Sequence, residues 1–168
     1  MADSRLLVQF IKRWEGGFVN DPVDRGGATN MGVTIGTFRS FFGQHQTIEN
    51  LRNITDDQWF QIFKRGFWDR WRADEIRHQS VANAVVDWLW SSGVHGIRRP
   101  QRLLNVVDDG IVGPITLRAL NSCKAEEVFF EIRGSRKMFI HEIIQGNASQ
   151  ERFRNGWLNR INDLKFEL

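Results

Sequence analysis

Residues 15–34 read EGGFVNDPVDRGGATNMGVT, with five glycines, three carboxylates and no lysine in twenty positions. Glycine at that density is entropically expensive to order and does not propagate a helix. The stretch therefore separates whatever precedes it from whatever follows. Val19-Asn20-Asp21-Pro22 and Arg25-Gly26-Gly27 carry turn chemistry. A small β-hairpin or extended loop is expected here, close to something that needs the space.

Everything around this stretch reads as helix. Asp3 or Ser4 is placed to cap a first helix with Leu7, Phe10, Ile11 and Trp14 at helical spacing. It stops at Gly16-Gly17, which puts Glu15 on its last turn, at the lip of the loop. Thr34 is positioned to cap 35–42, and Thr55 with Gln58 forms a capping box ahead of Trp59, Phe60, Ile62 and Phe63. Val81, Val85, Trp88 and Leu89 form another apolar stripe. Gly113-Pro114 opens a helix through Leu120, residues 125–144 make a long one, and Ser149 is placed to cap the last. The expected fold class is mainly α with one small β element.

Length and composition fit a globular domain. The chain has 168 residues, 41% hydrophobic and 26% charged, enough for a real core. A net charge of +3 without a basic run does not make a nucleic-acid module. Cys123 is the only cysteine, so no internal disulfide forms, and nothing near it in sequence activates the thiol. The four histidines show no metal-ligand spacing with Asp, Glu or Cys. No cofactor, no metal and no membrane insertion are expected, and a monomer is. The N-terminal residues carry no signal-peptide pattern, so the protein is expected to be made in the cytoplasm, and something else must carry it to any target outside.

The carboxylates carry the chemistry. A glutamate at a helix end facing an aspartate on a turn suits glycosidic bond cleavage, in which one acid protonates the leaving oxygen and the other side supports an oxocarbenium-like centre. Asp21 and Asp24 are the other carboxylates of the stretch, and Asp21 stands beside Pro22 in turn chemistry. Gly26, Gly27 and Gly32 allow a bulky polysaccharide to approach the backbone. On spacing alone, an acid-and-glycine surface loop remains the competing reading.

Glu15, Gly16, Gly17, Asn20, Asp21, Pro22, Asp24, Gly26, Gly27, Thr29, Asn30, Gly32 and Thr34 resemble the signature of glycoside hydrolase family 108, the N-acetylmuramidases. VVDDGIVGPITLRALN, residues 106–121, resembles that family's C-terminal element, often labelled peptidoglycan-binding. FRNGWLNRI, residues 153–161, resembles its closing segment. The resemblance implies a single lysozyme-like domain, with a catalytic part at 1–92 and a helical peptidoglycan-binding-like part at 93–168. It implies a peptidoglycan muramidase that cleaves the β-1,4 bond after N-acetylmuramic acid, with Glu15 as the acid and Asp24 beside it. Thr29, Asn30 and Thr34 are then candidates to hold water or sugar hydroxyls, with Gly27 giving access.

Other candidates for the cleft are Trp68 of FWDRW, and Asp87 and Ser92 of DWLWSSGVHG. Trp14, Trp71, Trp88 and Trp90 are further possible sugar platforms, although core packing accounts for most tryptophans. Phe18 and Met31 stand where the family usually has tyrosine, Ser91 where it has asparagine, and Pro100-Gln101 where it has Leu-Gln. A lytic transglycosylase and a non-catalytic wall-binding or secretion-linked protein are the competing readings.

Overall fold

The computed structural model describes residues 1–20 and 27–167. Their contacts divide the chain into two compact units, one spanning Ser4–Phe67 and the other Met1–Asp3 with Trp68–Leu168.

In the Ser4–Phe67 unit, α1 (Arg5–Trp14) buries Leu7 and Ile11, one turn apart on its apolar face. Ser4 precedes it without a side-chain cap. Strands β1 (Thr29–Asn30) and β2 (Val33–Thr34) pair antiparallel, Thr29 opposite Thr34 and Asn30 opposite Val33. The two-residue turn between them has positive φ at both Met31 (49°) and Gly32 (77°). Those are the signs of a type I′ turn, whose twist matches that of the strands. Gly32 reaches this region freely, whereas Met31 bears a steric penalty there. Val19 adds a third rung through two 2.8 Å backbone bonds with Thr29.

Thr34 then caps α2 (Ile35–Phe42), as its sequence position predicts. A short helix α3 (Ile48–Arg52) follows, with a capping box from Thr47 and Asn50 that the apolar pattern did not reveal. The expected capping box of Thr55 and Gln58 opens α4 (Asp56–Phe63), where Asp56 and Asp57 complement the helix dipole. Trp59 is fully buried, stacks on Phe63 at 5.5 Å, and donates its indole N–H to the Met31 carbonyl at 2.9 Å. Lys12 pairs with Asp56 at 2.6 Å and lies 5.0 Å over the Trp59 ring. A π-helical turn over Lys64–Trp68 ends α4.

The other unit begins with two 3-10 turns, Asp69–Trp71 and Ala73–Glu75, and continues through α5 (Gln79–Ser92), α6 (His95–Leu103), α7 (Pro114–Ser122) and α8 (Ala125–Gly146). Helices α5 and α6 approach so closely that a Cβ on Gly96 would lie 2.3 Å from the Leu89 nitrogen and 2.5 Å from the Trp88 carbonyl carbon. No side chain fits there. Pro100, inside α6, has no N–H to offer the Gly96 carbonyl one turn back; the Trp71 indole N–H fills that vacancy at 3.1 Å. The chain closes with a 3-10 segment, Ala148–Phe153, and α9 (Arg154–Asp163). The side chain capping this last section belongs to Asn147, which accepts from the Ser149 N–H, so Ser149 is the recipient of the cap rather than its source.

Asp87 on α5 is fully buried between two arginines, Arg136 of α8 and Arg160 of α9, each donating at 2.7 Å. Arg136 also donates to Ser91 at 2.9 Å. Burial pushes the Asp87 carboxyl up, but the two guanidinium charges and their hydrogen bonds outweigh it and hold the group below its ordinary 3.8. The folded value lies below the unfolded one, so this contribution to stability is present above about pH 3.8 and fades as pH falls through the folded value. Asp87→Asn leaves two buried cations without their counter-ion and is expected to lose about 3–5 kcal/mol at pH 7. Denaturant midpoints measured from pH 7 to pH 2 check both, because the gap between wild type and variant must narrow on the acid side.

Candidate functional site

Glu15 is the residue just past the end of α1. Its backbone is extended (φ −91°, ψ 141°) and its N–H closes the last helical turn on the Ile11 carbonyl at 3.1 Å. The side chain is half-buried, while Gly16 and Gly17 are exposed. Neither glycine has the positive φ that demands glycine, and a Cβ on either would meet no described atom within 4 Å. Internal packing among the described residues therefore does not account for them. What they do is leave the backbone after Glu15 bare. Gly27 differs: its φ of 66° is a conformational requirement, and a Cβ there would touch Ile35 at 3.4 Å.

Asp24, the expected second carboxylate, lies outside the described residues, as do Asp21, Pro22 and Gly26. Thr29 is half-buried in β1, its hydroxyl 3.4 Å from the Gly27 carbonyl. Asn30 is buried, and its side-chain amide donates to the carbonyls of Leu51 (3.1 Å) and Arg52 (2.9 Å). These are carbonyls of the last turn of α3, where the i→i−4 ladder runs out; that of Leu51 also accepts from the Ile54 N–H at 3.2 Å. Asn30 is thus a strut between the hairpin and α3. The Thr34 hydroxyl accepts from the Thr37 N–H at 3.1 Å and donates to the Thr37 hydroxyl at 3.1 Å, so its polar capacity is directed into the start of α2.

A circuit results. From Glu15 the chain runs through Phe18 to Val19, Val19 pairs with Thr29, and Asn30 bonds to Arg52. The Arg52 guanidinium then returns over the Phe18 ring, 4.4 Å from its centroid.

Two expected contacts are corrected. Trp68 is fully buried and donates its indole N–H to Asp74 at 2.7 Å, so both ring faces are covered and no sugar stacks on it. Asp87 is enclosed by Arg136 and Arg160 and is structural. Trp71 and Trp88 are also fully buried, whereas Trp14 and Trp90 keep partial exposure. Ser92 is half-buried at the end of α5, its hydroxyl 3.3 Å from that of Ser91. Among the described residues, no group of three His, Cys, Asp or Glu is arranged to bind a metal ion, and no helix is long and apolar enough to cross a membrane. Partial desolvation and the nearby Glu131 and Glu127 push the Cys123 thiol up, away from the reactive thiolate.

In the Trp68–Leu168 unit, Gln101 was not singled out as a candidate, yet it organises the loop that resembles a wall-binding element. Fully buried, it donates to Asp109, to the Ile111 carbonyl and to Thr116 at 3.0–3.3 Å, and accepts from the Gly110 N–H at 2.9 Å.

The sequence model of Glycosyl hydrolase 108 matches residues 8–93, which contain Glu15 and the whole circuit. The chain belongs to glycosyl hydrolase family 108. A second model, Predicted Peptidoglycan domain, matches residues 95–162, including Gln101 and its loop. Among solved structures, the one described as "Structure of Brucella abortus SagA" is 25% identical in sequence, with a TM-score of 0.82 over 95% of this chain and 90% of that one. The fold of this family 108 chain is accordingly the mainly α, lysozyme-like one. No curated protein sequence matches it. Family membership and the peptidoglycan domain together support a lysozyme-like action on peptidoglycan.

Asn30→Ala removes both strut bonds, leaving the Leu51 carbonyl with its backbone partner, the Ile54 N–H, and taking the buried amide donor from the Arg52 carbonyl. The expected loss is about 2 kcal/mol, with faster hydrogen exchange at the Val19 and Thr29 amides than elsewhere in the unit. Denaturant titration and exchange mass spectrometry measure the two effects.

Proposed function

We propose that this chain is a peptidoglycan N-acetylmuramidase, hydrolysing the β-1,4 bond between N-acetylmuramic acid and N-acetylglucosamine, with Glu15 as general acid. The observation that carries the reading is the position of Glu15. It is the one carboxylate of the described signature segment, it stands at the end of α1, and bare, exposed backbone follows it within the stretch matched by the hydrolase family.

The chemistry follows from the bond. A glycosidic oxygen is a poor leaving group until protonated, and a protonated Glu15 delivers that proton as the C–O bond breaks. Positive charge develops at the anomeric carbon, and a carboxylate on the other side of the sugar stabilises it, attacks it, or activates the water that does. Asp24 is our assignment for that carboxylate. Water then adds to the anomeric carbon, and Glu15 recovers its proton. Gly16 and Gly17 admit the strand close to the backbone. Asn30, through its bonds to α3, keeps the hairpin in register with the residues after Glu15. The second domain supports retention on the wall, and we place the site of action there, outside the cytoplasm.

Glu15→Gln preserves shape and removes the acid. Release of reducing muramic ends from purified cell wall is expected to fall by at least about 100-fold, with melting unchanged. Equal release by both proteins removes Glu15 from the mechanism. Mass spectrometry of the fragments separates hydrolysis from transglycosylation, since only the latter leaves 1,6-anhydro ends.

Gly17→Ala tests the bare backbone. With no described atom near the added methyl group, melting is expected to stay within about 0.5 kcal/mol of wild type. Turnover on wall is expected to drop roughly tenfold or more through misplacement of the strand.

A further inference from the structure

The circuit that supports the Glu15 segment ends in a largely exposed charge that the proposed acid chemistry does not use. Arg52 is the last residue of α3. Its side chain is 55% exposed and approaches Glu49 only loosely, 3.6 Å from Nε to a carboxylate oxygen. Its backbone carbonyl is fixed by Asn30, and its guanidinium lies on the Phe18 ring. Phe18 follows Glu15 by three residues, so their Cα atoms are at most about 11 Å apart along the chain. An arginine anchored at both its backbone and the face of its guanidinium loses little further entropy on binding. Its five N–H donors form a planar fork suited to a carboxylate.

We propose that Arg52 is a specificity determinant that binds a carboxylate of the glycan strand held at Glu15. This rests on the peptidoglycan reading and narrows it. Every N-acetylmuramic acid carries a lactyl side arm ending in a carboxyl function, free or amide-linked to a stem peptide that bears its own carboxylates. N-acetylglucosamine polymers carry neither. A cation on the Phe18 side of the acid therefore sets the register of the strand, because alternate sugars differ in charge. It also disfavours neutral polymers such as chitin.

The test measures binding in the Glu15→Gln background, so that it does not depend on turnover. Cosedimentation with insoluble wall is compared for E15Q, E15Q/R52Q, E15Q/R52K and E15Q/R65Q. Arg65 is the matched control: an exposed arginine over a phenylalanine ring, 5.8 Å from Phe41, on a different segment of the same unit. Three wall preparations are used: intact, stripped of stem peptides so that the lactyl carboxylate is free, and carboxyl-amidated.

R52Q is expected to weaken binding roughly three- to tenfold on walls with carboxylates and to change nothing on amidated wall. R52K is expected to fall between, and R65Q to match the parent. Loss on intact wall alone assigns the stem-peptide carboxylate, loss on stripped wall alone assigns the lactyl one, and loss on both shows that Arg52 takes either. Equal loss on amidated wall, equal loss with R65Q, or no loss with R52Q overturns the proposal. Should R52Q melt well below its parent, R52K decides: wild-type-like folding with unchanged binding on every wall overturns it too, and weaker binding confined to carboxylate-bearing walls upholds it. Arg52-dependent binding in this series, together with no release of fragments from wall by the protein with Glu15 intact, sinks the hydrolase reading and leaves this one standing.

Discussion

Two hydrogen bonds from one buried amide hold the candidate site together. The Asn30 side chain sits where β1 passes the end of α3, and it donates to the Leu51 and Arg52 carbonyls of that helix's last turn. A two-stranded hairpin is marginal by itself in water. This one is stabilised at its turn, by Asn30 reaching to α3 and by the Trp59 indole N–H reaching to the turn carbonyl of Met31. The Val19–Thr29 bridge then passes that rigidity to the segment that follows Glu15. Positioning of the proposed acid, Glu15, thus rests on a polar strut and an indole, both directed at backbone carbonyls.

The second unit solves a different problem with the same economy. Its long helices bring one aspartate and two arginines into the interior, and the charges are tolerable only because each is paired. Gly96 lets α5 and α6 touch, Pro100 frees a carbonyl, and Trp71 uses it. The departure from Leu-Gln to Pro100-Gln101 is absorbed here: proline removes a helical hydrogen bond, a tryptophan replaces it, and Gln101 still organises the loop at 109–111 with all its polar capacity inside.

Local signals were legible wherever their cause was local. Caps at Thr34 and Thr55, the helix stop at Gly16-Gly17 and the hairpin all depend on residues within a few positions of one another, and the structure has them. Other features depended on distant partners. Trp68 and Trp88 look alike to a composition argument, as platform or as core, and burial is decided by what packs on them. Asp87 on an apolar face announced that it needed a partner, but Arg136 and Arg160 are 49 and 73 residues away. Thr29, Asn30 and Thr34 offered sugar-binding chemistry, yet Asn30 and Thr34 direct it to backbone groups that only the folded chain brings near.

By itself the sequence determined the mainly α class, the single β interruption, the family, and the glutamate at the end of the first helix, because period, caps and turns are short-range properties of a chain. Tertiary structure alone decided which polar side chains are structural and which face solvent. Hydrogen-bond donors and charges are satisfied by whatever approaches them, and approach across many tens of residues is a property of the packed whole.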